Sequence, residues 1–218
     1  MAYSNSMAAL KLVVFDCDGV MFDSRNANRI YYNHLLEKFG YPLMDQEEED
    51  YVHSHNVLDS VSFIFRNHPH EIDRVNAYRL SVDYTPFLEY MRIEPDLKDF
   101  LQFLKPKYHT AISTNRSTTM AAVMELHDLQ PFFDLVVTSL DVRQPKPHAE
   151  ALVKILNHFH LSADQAVYIG DSMVDRVHTA EVNMRLISFK NPALPAEFHV
   201  NSFLEIPGLP IFAEHAKI

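Results

Sequence analysis

The residues Leu12-Val13-Val14-Phe15-Asp16-Cys17-Asp18-Gly19 decide the fold. Four successive apolar side chains without polar alternation read as a short strand buried on both faces, as in a parallel sheet covered by helices. Two carboxylates follow, one residue apart, where that strand ends. Four more runs of the same character lie downstream, at residues 110–113, 135–138, 166–169 and 186–189. Between them fall helical patterns: residues 117–127, with Met120, Val123, Met124 and His127 on one stripe, then 149–159 and 174–182. Ser117 is placed to cap the first of these helices, and Pro147 suits the opening turn of the second. Strand, helix and strand in succession predict right-handed crossovers and a doubly wound α/β sheet.

One interval breaks the rhythm. About ninety residues separate the first strand from the second, far more than one crossover helix needs. Residues 26–90 show helical spacing at Ile30, Leu35, Leu36 and Phe39, and again at Val57, Leu58, Val61, Ile64 and Phe65, with no strand pattern. The chain is therefore predicted to form an α/β core from residues 1–20 and 91–218, with residues 21–90 inserted as a small helical unit. Glu94-Pro95-Asp96 opens a helix through Leu104 that leads back into the sheet. The acidic run at residues 45–50 reads as a solvated helix face or loop.

Composition narrows what such a chain does. With 218 residues, 47% hydrophobic and 22% charged, it has the apolar content for a real core and the length for one large domain with an insertion. A net charge of −10 repels phosphate backbones, so nucleic acid is not an expected partner, and any phosphate must be met by local cations. No apolar run is long enough to cross a bilayer, and residues 1–11 lack the basic start and long apolar stretch of a secretory signal. A cytoplasmic protein, monomeric or weakly dimeric and without a membrane partner, is the expectation. Cys17 has no second cysteine to pair with; its side chain should turn away from the neighbouring acids and fill the core. The pairs His53/His55 and His68/His70 stand two residues apart, a spacing that points side chains in different directions on a helix and does not suit a shared ion. Met120 and Met124 read as packing.

In an open α/β sheet the ligand crevice lies beyond the carboxyl ends of the strands, and the polar residues fall there. The first strand ends in Asp16 and Asp18, and the second in Thr114 and Asn115 ahead of a helix. Lys146 follows the third between two prolines, and the fourth ends at Gly170-Asp171 with Asp175 four residues on. Acids crowded at strand ends repel one another unless a cation lies among them. A set of oxygen ligands without matching Cys or His suits Mg²⁺ rather than zinc. Carboxylates, a hydroxyl and a lysine around such an ion are the equipment of phosphoryl transfer, in which an attacking carboxylate splits one hard hydrolysis into two easier steps. The chain has 4 glycines, and two of them, Gly19 and Gly170, lie in these loops. Arg25 and Arg116 lie within a few residues of the motifs and are candidates to hold an anionic group on the substrate.

Taken together, Asp16-Cys17-Asp18-Gly19-Val20, Thr114-Asn115, Lys146-Pro147 and Gly170-Asp171-Ser172-Met173-Val174-Asp175 resemble the four signature motifs of the haloacid dehalogenase superfamily, in its phosphoglycolate phosphatase-like and β-phosphoglucomutase-like branch. The resemblance implies a Rossmann-like core with a helical cap that closes over the site. It implies Asp16 as nucleophile and Asp18 as general acid/base. It further implies Mg²⁺ held by the Asp16 carboxylate, the Asp18 backbone carbonyl and Asp171, with Asp175 in support, and phosphoryl oxygens bound by Thr114 and Lys146. Asp18 separates phosphate esters from carbon–halogen bonds, because dehalogenase members lack an acid at this position. The sequence departs from the family after Asp175, where Val182-Asn183 stands for the usual Ala-Gly.

These implications describe a Mg²⁺-dependent phosphatase of a small phosphorylated metabolite. A phosphomutase of the β-phosphoglucomutase type uses the same core, though residues 54–65 show no match to that group's sugar-binding cap. A phospho-accepting signalling domain also uses an acidic pair, a hydroxyl and a lysine, but on a shorter chain with the acceptor on a middle strand. A non-catalytic binding protein on this scaffold would not need every motif residue.

Overall fold

The computed structural model describes residues 8–55 and 57–213. The first seven residues of the segment tested for a secretory signal, residue 56 of the expected insertion and residues 214–218 of the expected core lie outside the described residues. The described residues fall into two compact units, 8–21 with 93–213 and, within 22–92, those of the inserted segment.

The first unit is built on six parallel strands: β1 (Leu12–Phe15), β4 (His109–Ser113), β5 (Leu135–Val137), β6 (Ala166–Gly170), β7 (Arg185–Phe189) and β8 (Phe198–Val200). Their spatial order is β5-β4-β1-β6-β7-β8, with β1 third and the chain winding first to one side of it and then to the other. The short strands β2 (Phe22–Asp23) and β3 (Arg92–Ile93) form a separate two-stranded ribbon. The five predicted strands are present. The sixth, β8, goes unread in the sequence because three residues, of which only Val200 is buried, carry no periodic signal.

β1 is apolar throughout because both of its faces are covered. Leu12 and Val14 belong to a cluster with Leu152 and Ile155 of α8 (Glu150–Phe159). On the other face, the Phe15 ring centroid lies 6.0 Å from that of Phe100, in α6 (Leu97–Leu104), and 5.5 Å from that of Phe133. The register pairs Phe15 with Ile112 on one side and Ile169 on the other. Asp16 thus leaves the sheet level with the ends of β4 and β6, and its N–H donates to Ile169 O at 2.9 Å.

The helices differ from expectation at their starts. The helix predicted at 117–127 is α7 (Met120–Leu126), capped at Thr119 without a side-chain bond, while Ser117 contributes its carbonyl to Met120 N. Pro147 does not open α8, which starts three residues later at Glu150. The helix predicted at 174–182 is α9 (Met173–Ala180), capped by Ser172, whose side chain accepts from Asp175 N. Asn183 adopts φ +55, so the position where the family uses glycine is filled here by one of the few residues that tolerate left-handed backbone. The last element among the described residues is α10 (Pro210–Ala213).

The second unit is helical: α1 (Arg25–Lys38), α2 (Gln46–Ser54), α3 (Val57–Ile64), α4 (Ile72–Arg79) and α5 (Thr85–Leu88). It has its own core, with Leu35 and Leu36 of α1 against Val61 and Ile64 of α3 and against Phe65. Leu58, assigned to that stripe by its spacing, is instead 54% exposed. The acidic run becomes the start of α2, where Asp45 and Glu48 complete a reciprocal capping box that satisfies two free backbone N–H groups.

Candidate active site

Three carboxylates from two strand ends meet in the first unit. Oxygens of Asp16, Asp171 and Asp175 lie within 4.8 Å of one another, the one such group of three metal-ligating side chains among the described residues. Lys146 sits against them, its Nζ 2.8 Å from Asp16 Oδ1 and 2.8 Å from Asp175 Oδ1. Asp16 Oδ1 also accepts from Cys17 N–H at 2.7 Å. Cys17 itself is fully buried with its thiol pushed up by burial, an inert filler as expected.

Asp175 has no oxygen to spare. Its Oδ1 accepts from Lys146 and lies 3.1 Å from Tyr168 Oη, and its Oδ2 accepts from Ser172 Oγ at 2.8 Å and from the N–H groups of Asp171 and Ser172. Burial alone would push its carboxyl up, but the Lys146 charge and these hydrogen bonds outweigh that and hold it below the usual carboxylate range. Asp16 and Asp171 go the other way. Burial, compounded by the neighbouring acids, pushes them up to about 7 and about 8. Asp16 and Asp175 hold the Lys146 ammonium charged against the cost of its burial. Three acids against one lysine leave this centre short of positive charge, and its all-oxygen donor set matches a hard divalent cation.

The glycines are there for space. Gly19 has φ +78, and a Cβ on it would lie 2.0 Å from Asp171 Oδ2. A Cβ on Gly170 would lie 2.6 Å from that of Asp175. Any other residue at either position would push a carboxylate out of the cluster.

Around the lysine lies a buried network that the sequence did not reveal. Tyr168 Oη accepts from Lys146 Nζ at 3.0 Å and donates to Ser113 O at 2.9 Å. His178 Nδ1 meets His148 O at 2.7 Å, so that nitrogen carries the proton and Nε2 accepts from Ser113 Oγ at 3.0 Å. Burial, reinforced by the Lys146 charge, lowers His178 to about 4, which keeps the ring neutral. Tyr168 reads as apolar filler in a strand, so nothing marks it. His178 and Thr179 follow Asp175 by three and four residues on one helix, and that spacing was the available signal.

The remaining predicted residues divide. Thr114 is buried and its Oγ1 accepts from Arg116 N–H at 3.1 Å. Asn115 Nδ2 donates to Lys146 O at 3.0 Å, tying the β4 loop to the lysine segment. The Asp18 carboxylate stands outside the three-acid cluster, in the guanidinium fork of Arg116. Arg25 belongs to the helical unit, where its Nη1 lies 3.1 Å from Asp50 Oδ1. His53, His55, His68 and His70 join no group of three metal-ligating side chains among the described residues.

A doubly wound parallel sheet with acids, a lysine and a hydroxyl at adjacent strand ends defines a class, the Rossmann-like hydrolases with aspartate-rich centres. Within that class the chain belongs to the haloacid dehalogenase-like hydrolase family, whose pattern matches residues 13–189. Among solved structures it is similar to a haloacid dehalogenase-superfamily hydrolase of subfamily IA from Geobacter sulfurreducens, with 33% identity, TM-score 0.81, and coverage of 92% of this chain and 99% of that one. A putative phosphoglycolate phosphatase from Lactobacillus plantarum shares the fold at TM-score 0.81 and 16% identity, over 92% of this chain and 99% of its own. A putative pyrophosphatase, PpaX, from Caldanaerobacter subterraneus is 27% identical over 190 residues, which are 85% of this chain and 84% of that protein. No helix among the described residues is long and apolar enough to cross a membrane.

Proposed function

We propose that this chain is a Mg²⁺-dependent phosphohydrolase that removes the phosphoryl group from a small phosphorylated metabolite through a phospho-Asp16 intermediate. The observation that carries the reading is the Lys146 ammonium held between Asp16 and Asp175 beside a third acid, Asp171, in a centre still short of positive charge. Asp16, Asp171 and the Asp18 carbonyl would hold the ion, with Asp175 fixing the loop that carries Asp171. When bound, Mg²⁺ supplies charge that offsets the repulsion between carboxylates and phosphoryl oxygens.

The chain's own groups do the rest. A carboxylate oxygen of Asp16 forms a bond to phosphorus as the bond to the leaving oxygen breaks, and that oxygen keeps the electron pair and takes the proton of the Asp18 carboxyl group. Water then attacks phosphorus, gives a proton to the Asp18 carboxylate, and the bond to Asp16 breaks. Lys146 and Thr114 hold phosphoryl oxygens, and the helical unit at residues 22–92 serves as the cap that sets the leaving group accepted.

The test is a panel of phosphate monoesters with inorganic pyrophosphate, in Mg²⁺, following inorganic phosphate and, for hexose phosphates, isomer. Phosphate release that stops on adding EDTA is the expected result. Isomer accumulating without phosphate would move the assignment to a mutase; no turnover of any compound would remove it.

A further inference from the structure

We propose that Arg116, rather than binding substrate, is a positioning residue that acts through Asp18; the inference rests on the reading of Asp18 as proton donor and acceptor. The Arg116 side chain is 7% exposed and its guanidinium is spoken for in three directions. Nε donates to Asp18 Oδ2 at 3.1 Å and Nη2 to Asp18 Oδ1 at 2.5 Å, a two-armed fork that covers both carboxylate oxygens. Nη1 donates to Thr119 Oγ1 at 3.0 Å.

The backbone of Arg116 is held as firmly. Its N–H donates to Thr114 Oγ1 at 3.1 Å, and its carbonyl accepts from Ser139 N–H at 3.3 Å. The fork is therefore anchored to the β4 loop, to Thr119 and to the segment after β5. By contrast the Asp18 side chain is 35% exposed and follows Cys17 on a loop whose next residue is Gly19, with φ +78. A short carboxylate on such a loop has several rotamers open to it, and the rigid guanidinium selects one.

Proton delivery depends on that selection. A carboxyl group contributes to breaking the bond to phosphorus only when it is within hydrogen-bond reach of the leaving oxygen. Substrate contact and positioning through Asp18 thus predict different dependences on the leaving group. A residue that binds the phosphoryl group matters for every ester. A residue that orients the acid matters for esters whose leaving alkoxide needs a proton and little for those whose phenolate leaves without one.

The experiment measures kcat/KM for an alkyl phosphate that the enzyme turns over and for 2,4-dinitrophenyl phosphate, with wild type, Arg116→Gln, Asp18→Asn and the double variant. Arg116→Gln is expected to lose about 10- to 100-fold on the alkyl ester and far less on the activated one, a pattern shared with Asp18→Asn. The double variant should be no worse than Asp18→Asn alone, because two groups acting as one unit are not additive. Arg116→Lys keeps the charge but not the fork, so it should recover only a minor part; it also serves if the glutamine variant does not fold. An equal loss on both esters with raised KM, or losses that add in the double variant, would overturn the proposal. If Asp18→Asn itself shows no dependence on the leaving group, the acid/base reading has failed, which this set separates from a failure of Arg116 alone.

Discussion

Asp16 and Asp18 are neighbours but one in the chain, and they occupy different chemistry. Asp16 is 7% exposed, fixed by the Cys17 N–H and by Lys146, and packed among other acids. Asp18 stands at the rim in an arginine fork. The contrast teaches how one loop places two carboxylates in unlike surroundings, and on the proposed mechanism those surroundings rather than residue type would decide which acid attacks and which exchanges protons. The sharpest way to break this comparison is to replace each acid by its amide. Asp16→Asn keeps the volume and loses the nucleophile, so kcat should fall by about four orders of magnitude or more, with no phosphoenzyme trapped on acid quench. Asp18→Asn should cost about 10²- to 10⁴-fold and still form phosphoenzyme from an activated ester. Equal losses on every ester, with no phosphoenzyme in either variant, would erase the distinction.

A smaller effect sharpens the contrast from the side of the glycines. Gly19 and Gly40 have nearly the same backbone, φ +78 and +79, but only Gly19 faces a carboxylate, whereas nothing lies within 4 Å of the Cβ that Gly40 lacks. Alanine at either position should cost on the order of 1 kcal/mol of stability, read by denaturant unfolding, because the left-handed backbone is strained for any side chain. Gly19→Ala alone should also raise the Mg²⁺ concentration needed for half-maximal turnover by about 10- to 100-fold, since Asp171 must move. A similar shift in Gly40→Ala would mean that backbone strain, not the approach of Asp171, is what matters.

Tyr168→Phe probes the interior side of the same lysine. It removes one hydroxyl, leaving Lys146 its two carboxylate partners but taking the phenolic donor from the Ser113 carbonyl. Stability should drop by about 1–2 kcal/mol, with kcat reduced several-fold and KM little changed. A rise in KM without loss of kcat would place the hydroxyl's effect on substrate binding instead.

The limits of sequence reading follow from these environments. The ends of β1, β4 and β6 were legible because an apolar run buried on both faces stops at a polar residue, and the crevice of a parallel sheet begins there. Asp16, Lys146, Asp171 and Asp175 could be found in this way, and the structure brings them together. Tyr168 and Ser113 act from inside strands, where a polar atom is hidden among apolar neighbours and its partners depend on register. Arg116 was legible as a cation near the crevice but not as the partner of Asp18, because 98 residues separate the two and only the pairing of β1 with β4 brings them together. The misplaced helix starts at Ser117 and Pro147 have a similar origin. Residues suited to caps were present, but the backbone there serves the site loops, so the helices begin three residues later.

A pH dependence of stability tests the interior network without touching the chemistry. His178 is fully buried and neutral, its value lowered to about 4 by burial and the nearby Lys146 charge against an ordinary 6.5. The unfolded chain therefore takes up a proton at this residue as pH falls through about 6.5, while the folded chain does not until near 4. The sign follows: this contribution to stability is fully present above pH 6.5, is lost progressively as the pH drops towards 4, and levels off below. Between pH 7.5 and 5 it amounts to about 2 kcal/mol, enough to see in urea unfolding. His178→Gln lowers stability at neutral pH through the lost hydrogen bonds to Ser113 and His148, so the informative quantity is the slope with pH rather than the level. Asp16 and Asp171, with their raised values, tilt the background in the opposite direction in both proteins and cancel in the comparison. The variant should lack the wild type's acid-side loss by about that amount. Parallel curves for the two proteins would mean that the ring is protonated in the folded chain, and that the Ser113–His178 bond does not run from hydroxyl to imidazole.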